Sequence, residues 1–305
     1  MIDPKKKTAL LIDSNNILAM CVHTGQHLTS PKTGEPTGGL YGFVRRVRAL
    51  ITHEIEGAQI HEVYAVQDSK PPAFRFELVP EYKNNRGKSA GKADPRRDNF
   101  IDAYRHQRKL LPDLISPLGV KVAKAENFEA DDLIAGMVRS DLAARYIIVS
   151  ADKDLRQLID GKRVRLWQPT QHEWVEQPAR GYRLYRAITG DPSDCIPRVP
   201  GLGEKRAQEI VDELLAEGVK VTPSSLKENY KGRYKDKLKG FYKKVAANWQ
   251  VMDLNRTADD AYKAMKVVAA YKPRLFFEKC REYGFSSIMN NPTSWIEPFK
   301  YMREP

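Results

Sequence analysis

Three short apolar runs constrain this chain most, because each is closed by acid. Thr8 to Ile12 ends in Asp13. Glu62 to Gln67 ends in Asp68. Tyr146 to Ser150 ends in Ala151, Asp152, Lys153 and Asp154. Continuous apolar runs of this length suit strands buried on both faces, as in a parallel sheet covered by helices. Ligands of open α/β sheets bind outside the carboxyl ends of the strands. One aspartate at a strand end is common; several in the same relation to a β-α-β pattern outline a site. Between the runs, Leu40, Phe43, Val44, Val47, Leu50 and Ile51 recur at helical spacing. Residues 21–39 read as a loop, 99–115 as a helix and 119–123 as a further strand. Residues 164–167 and 173–176 read as a hairpin, and a short helix is expected over 181–188.

A fourth acidic group stands in Glu129, Asp131 and Asp132, three acids in four residues ahead of an apolar segment. Acids in a first helical turn are favoured by the helix dipole, each by roughly 0.3–1 kcal/mol. Asp152 and Asp154 could likewise do no more than cap the next helix. Their number argues for more. With Asp13, Asp68, Asp191 and Asp194 they make nine carboxylates, the earlier of them expected on one sheet edge. Such a group is stable next to cations and repels itself without them. His23 and His27 are four apart but have no acid with them, so the donors are oxygen only. That favours Mg²⁺, with Mn²⁺ able to substitute, over Zn²⁺. The number of acids fits two ions and phosphodiester hydrolysis, in which the pair activates a water and stabilises the attacking and leaving oxygens.

The rest of the chain is basic. The formal net charge is +12 over 305 residues, which points to a polyanionic partner, nucleic acid above all. Residues 69–98 interleave Phe74, Arg75, Phe76, Tyr82, Lys83, Arg86, Lys88, Lys92, Arg96 and Arg97. The segment shows no core stripe, and reads either as a flexible linker or as a mobile stretch that grips a backbone with cations and stacks bases on rings. Gly201 and Gly203 open a helix that carries Lys205 and Arg206. Exposed amides beside cations make a phosphate site that holds a backbone without reading its sequence. A lysine-rich stretch over 220–245 is either a solvated helix face or an extension of that surface. No apolar run is long enough for a membrane span. Three scattered cysteines imply a reducing compartment, and the cytoplasm is expected.

Taken in order, Asp13, Asp68, the stretch from Leu78 to Arg86, Glu129 to Asp132, Ser150 to Asp154, and Gly190 through Gly203 to Arg206 resemble the 5′ nucleases of bacteriophages. The same family includes the 5′-nuclease domain of bacterial DNA polymerase I and the flap endonucleases. The resemblance runs over about residues 8–215. It implies a three-layer α/β sandwich around a mostly parallel sheet, with a helical arch over the site. The expected core is residues 1–180, with the arch at 69–98. A helical DNA-binding part would follow over 181–305, with a helix–three-turn–helix at about 186–215, and pack back on the core. The resemblance assigns Asp13, Asp68, Glu129, Asp131 and Asp132 to a first metal ion, some through water. It assigns Asp152, Asp154, Asp191 and Asp194 to a second. Lys83 and Arg86 would contact the scissile phosphate, and Tyr82 would stack on or orient the unpaired nucleotide. Gly201, Gly203, Lys205 and Arg206 would hold the duplex, and some relatives bind K⁺ at that turn. The implied substrate is DNA with a 5′ single-strand/duplex junction, RNA-primed in some cases, cut by a monomer in replication or repair. A non-catalytic junction binder and a metal-dependent ribonuclease are the rival readings.

Overall fold

The computed structural model describes residues 7–25, 27–55, 59–85 and 95–301. The chain divides into two compact units. The first comprises Met1–Lys70, Ala93–Glu176 and Ala258–Pro305, and the second Pro71–Lys92 and Gln177–Thr257.

The first unit is built on seven strands: β1 (Thr8–Asp13), β2 (Glu62–Gln67), β3 (Lys121–Ala125), β4 (Arg145–Val149), β5 (Val164–Gln168), β6 (Glu173–Val175) and β7 (Met265–Val268). They lie in the order β6-β5-β4-β1-β2-β3-β7. The five inner strands are mutually parallel, and only the edge strands β6 and β7 are antiparallel. β1 is buried at every residue and β2 at all but its first, as the unbroken apolar runs require. From β1 the chain steps outward through β2 to β3, then returns to the other side of β1 for β4 and β5. The strand order therefore reverses between β1 and β4. A crevice outside the carboxyl ends is expected at such a reversal.

Helices Ser14–Thr24, Gly38–Ala49, Pro95–Ile115 and Ala130–Arg139 accompany the sheet. The first takes four residues of the expected loop at 21–39, and the third begins four residues before the expected position. Proline is tolerated in a first turn, where its missing N–H has no helical partner, so Pro95 does not oppose that start. Ile17, Leu18, Phe43, Val44, Val47, Leu111 and Leu114 from these helices share one core with Leu10, Ile12, Val63 and Ala65. Helix Ala130–Arg139 packs closely on helix Ala258–Lys263. A Cβ added at Gly136 would stand 2.2 Å from the Ala258 carbonyl oxygen.

The C-terminal part departs from the expected boundary near residue 180. β7 adds to the free edge of β3, pairing Val122 with Val268 and Ala125 with Met265. Pairing covers main-chain groups that an edge leaves exposed, and it ties residues 258–301 to the sheet.

The second unit has its own core of Leu184, Ile188, Val199, Leu202, Ile210, Leu214, Leu226, Tyr230, Leu238 and Val245. Helices Tyr182–Thr189 and Glu204–Ala216 supply much of it. The segment after Pro71 contributes helix Ala73–Leu78 and a turn through Asn85. Here the expectation of a mobile, coreless segment is corrected. Arg75 is 1% exposed, and its Nε donates to the Val251 carbonyl at 3.2 Å. Residues 86–94, which hold Arg86, Lys88 and Lys92 of the expected arch, lie outside the described residues.

Candidate active site

The carboxyl edge of the sheet in the first unit gathers four acidic groups. Asp13 is the last residue of β1 and the N-cap of the helix that follows. Its Oδ1 accepts from the Asn16 N–H at 3.1 Å and its Oδ2 from the Ser150 hydroxyl at 2.9 Å. That second bond crosses the reversal between β1 and β4. Ser150 Oγ also accepts from the Asp152 N–H at 3.0 Å, and Asp152 Oδ1 accepts from the Asp154 N–H at 2.8 Å. Asn16 Oδ1 takes the Ala151 N–H at 3.0 Å. A chain of local bonds thus fixes the turn after β4 against the end of β1.

Asp68 stands one residue past β2. Its Oδ2 accepts from Asn15 Nδ2 at 2.5 Å, and its Oδ1 from the Ala130 N–H at 2.8 Å. Arg108 donates to the Asp68 backbone carbonyl at 2.6 Å, and the Ser69 N–H to the Phe128 carbonyl at 3.0 Å. These bonds join the end of β2 to the start of helix Ala130–Arg139. Asn127 turns the chain there with a φ of 63°, a region asparagine enters more readily than most residues. Glu129 then caps the helix, and its N–H donates to Asp132 Oδ2 at 3.0 Å. The helix-start reading of this stretch and a ligand role do not compete. The cap fixes the carboxylates, and Glu129, Asp131 and Asp132 bring one oxygen each within 4.8 Å of the others. Glu129 and Asp132 are buried and Asp131 is half-buried.

The donor set of this edge suits a hard divalent cation: carboxylate oxygens, with no imidazole or thiolate in the acidic cluster. Asn15 adds an independent sign. Because Asp68 can only accept, the Asn15 amide nitrogen must face it, and Asn15 Oδ1 is left buried without a hydrogen-bond partner. Such an orphaned acceptor costs about 1–3 kcal/mol unless a cation or water meets it.

Asp191 and Asp194 belong to the second unit, where cations hold them. Arg186 donates to Asp191 Oδ2 at 2.6 Å, and the Ser193 N–H to Asp191 Oδ1 at 2.8 Å. Burial raises the Asp191 pKa, but the bonds from Ser193 and Arg186 outweigh it and hold the carboxyl below the usual range. Asp194 Oδ2 is 3.4 Å from Lys83 Nζ, and the Asp194 carbonyl accepts from the Lys83 N–H at 2.9 Å. Lys83 has a φ of 54°. A non-glycine residue there is strained, by roughly 1–3 kcal/mol, and the bonds to Asp194 hold it in place.

Tyr82 departs from its expected role. The residue is 4% exposed and packs with Val79, Ile196, Val251 and Met252. Lys83 Nζ lies 5.0 Å from the ring centroid. The ring expected to meet a nucleotide is buried against these residues. Gly201, also left-handed at φ 71°, Gly203, Lys205 and Arg206 line a cavity of about 390 Å³ at the start of helix Glu204–Ala216. Arg206 donates to the Gly201 carbonyl at 2.7 Å.

Sequence reasoning did not find Asn15, Asn16, Ser150 or Arg108. Asn15 and Asn16 were visible as polar residues ending a strand, and Ser150 as the residue between β4 and its acids. Arg108 gives no local signal, since it reaches Asp68 from 40 residues away.

Residues 8–182 match the family model of the 5′-3′ exonuclease, N-terminal resolvase-like domain. The thermostable DNA polymerase I of Thermus caldophilus is 30% identical over 255 residues, which cover 77% of this chain and 28% of the relative. The chain therefore spans under a third of that relative's length. The 5′-exonuclease of bacteriophage T5, in a structure with zinc bound, superposes with a TM-score of 0.69 at 18% identity, over 91% of this chain and 100% of that one. A flap endonuclease of the same phage, in complex with DNA and metal ions, gives 0.64 at 20% identity, over 85% and 93%. At these identities the two superpositions establish a shared fold. On the family match over more than half its length, the chain belongs to the 5′-3′ exonuclease family.

Proposed function

We propose that this chain is a Mg²⁺-dependent, structure-specific 5′ nuclease that hydrolyses DNA phosphodiesters at 5′ flaps and from 5′ ends. The observation that carries this reading is the convergence of Asp13, Asp68, Glu129–Asp132 and Asp152/Asp154 at the carboxyl edge of the sheet, around the reversal of strand order. The DNA in the flap endonuclease complex supports the substrate class.

Bound by these acids, two divalent ions would supply Lewis-acid activation and charge neutralisation at the scissile phosphate. The chain's own part is positioning. Ser150 and Asn16 hold Asp13 and the turn after β4 at one setting. Asn15 and the Ala130 N–H fix both oxygens of Asp68. Asn15 Oδ1 offers one further neutral oxygen. The family resemblance assigns Lys83 and Arg86 to the charge that develops on a phosphoryl oxygen. Arg186 and Lys83 would set the carboxylates of Asp191 and Asp194, to which the family resemblance assigns a ligand role. The Gly201–Arg206 turn would hold the duplex backbone, with K⁺ as a second occupant of its cavity. The cellular role that follows is removal of flaps and primers in replication or repair, by a monomer in the cytoplasm.

The test is cleavage of a 5′-flap duplex in Mg²⁺, with Mn²⁺ in parallel and single-stranded RNA as the competing substrate. The Asp152→Asn, Asp154→Asn double variant should bind the flap and not cut it. Undiminished cutting by that variant would overturn the ligand assignment, and preference for RNA would overturn the substrate class.

A further inference from the structure

The pairing that covers the β3 edge leaves a new edge at β7. This strand ends the sheet, and among the described residues no strand lies on its outer side. In an antiparallel ladder, alternate residues of an edge strand turn their N–H and C=O groups outward. β7 therefore presents a short row of main-chain groups that can take a further strand. Its side chains are bare as well. Val267 is 43% exposed and Val268 61%, although Ala123 and Val122, their partners on β3, are buried. Successive residues of a strand point to opposite faces, so neither face is covered at this edge. Valine is a strong strand former, and its place is a half-buried surface.

Charge narrows the occupant. Lys266 stands directly across the ladder from Lys124, and both are exposed. Like charges opposite one another destabilise a strand pair. The neighbouring lysines have acids: Lys121 pairs with Glu62 at 3.0 Å and Lys263 with Asp260 at 3.9 Å. Lys124 and Lys266 have none among the described residues, and Glu126, two residues past Lys124, pairs with neither. A short edge strand with a lysine guards against indiscriminate pairing. The same lysines decide which strand is admitted. A second copy would bring its own Lys266 and a net charge of +12. A nucleic-acid backbone would satisfy the lysines and leave the valines and the main-chain row unused. An extended acidic peptide meets all three.

We propose that β7 is a docking edge for a protein partner, which adds an extended segment alternating Asp or Glu with β-branched residues. Its acids lie on the face of Lys266 and Lys124, and its apolar residues continue the face of Val267. None of these residues belongs to the proposed catalytic edge. A contact this small is weak and transient.

The test uses the full chain and a labelled synthetic peptide, Glu-Val-Asp-Val-Asp-Val-Glu, followed by fluorescence anisotropy and amide hydrogen exchange. The peptide should bind with a Kd below about 1 mM and slow exchange across residues 265–268. Lys266→Glu removes the opposition to Lys124 and should weaken binding about tenfold or more, since it sets like charges together. Lys266→Gln, a neutral change at the same exposed position, should weaken it about threefold. Lys227→Glu, at an exposed lysine of the second unit, should change nothing. The peptide methylated at the main-chain nitrogens of its pairing side should not bind. No binding up to about 1 mM, equal binding to wild type and Lys266→Glu, or undiminished binding of the methylated peptide would overturn the proposal. Displacement by an equal concentration of duplex DNA would overturn it too, making this edge part of a nucleic-acid surface. A free chain that sediments as a dimer, in an equilibrium that Lys266→Glu shifts, would assign the edge to a second copy instead.

Discussion

The two ends of β2 each carry a carboxylate, and the protein treats them in opposite ways. At the start, Glu62 accepts from Lys7 Nζ at 2.8 Å and the Tyr64 hydroxyl at 3.0 Å, and forms an ion pair with Lys121 Nζ at 3.0 Å. Past the other end, the Asp68 carboxylate accepts from an asparagine amide and a backbone N–H. Both acids are oriented by hydrogen bonds. Among the described residues, only Glu62 is neutralised by cations at bonding distance. Neutral donors fix a carboxylate while leaving its charge for another partner; lysines fix it and consume the charge. The strand therefore separates an acid used for structure from an acid kept for chemistry. In the second unit Asp191 and Asp194 are, like Glu62, paired with cations, Arg186 and Lys83.

The largest test of that contrast is catalytic. Asp68→Asn keeps the shape but removes the charge, and flap cleavage should fall by about 10²–10³-fold, equivalent to roughly 3–4 kcal/mol of transition-state stabilisation. Glu62→Gln should leave cleavage within about twofold of wild type, because its charge is already consumed. Single-turnover rates at saturating Mg²⁺ measure both. Comparable losses in the two variants would erase the distinction.

Next in size is the response to metal without any substrate. A ligand that binds the folded state at 100 times its Kd stabilises it by about 2.7 kcal/mol. Thermal unfolding should therefore shift upward in Mg²⁺ or Mn²⁺, and the shift should vanish in Asp131→Asn with Asp132→Asn. In chelator the same double variant should unfold at a higher temperature than wild type, since it relieves repulsion among crowded carboxylates. Glu62→Gln should keep the full metal shift.

How much of this was legible in the sequence depends on the range of the interactions concerned. β1, β2 and β4 were readable within a residue or so, because burial on both faces leaves an unbroken apolar run. The helix at Glu129 was readable from its acids. The pairing of β7 with β3 was not, since Met265–Val268 is four residues long, mostly exposed, and takes its strand geometry from a partner over 140 residues away. Arg75 and Tyr82 misled for a related reason. In sequence they are a cation and a ring in a basic stretch, as they would be on a nucleic-acid surface. Burial is decided by Val251 and Ile196, which no local pattern connects to them. Asn15 was readable as polar, but its value lies in an oxygen orphaned by Asp68, a fact of three dimensions.

A smaller test concerns the helix that carries Glu129, Asp131 and Asp132. Gly136→Ala drives a methyl group to 2.2 Å from the Ala258 carbonyl oxygen, so one of the two packed helices must move. Overpacking of this kind costs about 1–3 kcal/mol, measurable by urea unfolding. If the helix carries its acids with it, the metal shift in unfolding temperature should shrink as well. An unchanged metal shift beside a lowered stability would show that the acids are set by the local bonds at Asp68 and Glu129, not by the packing of their helix.

The smallest effect is the pH dependence of the acid at the other end of β2. Burial raises the Glu62 pKa, but Lys7, Lys121 and Tyr64 together outweigh it and leave it below the ordinary value of 4.5. A carboxyl depressed by folding stabilises the protein above its unfolded pKa, and that stability is lost as pH falls through the folded value. Glu62→Gln should therefore cost about 1–2 kcal/mol at pH 7, the range of a partly buried, charge-assisted bond. The cost should begin to shrink below about pH 4.5 and disappear once the folded carboxyl is protonated. Urea unfolding of both proteins at pH 7, 5 and 3.5 measures the difference. A gap that persists unchanged to the lowest pH would mean that glutamine fails through packing, and that Glu62 is held at the strand's start by its shape and not by its charge.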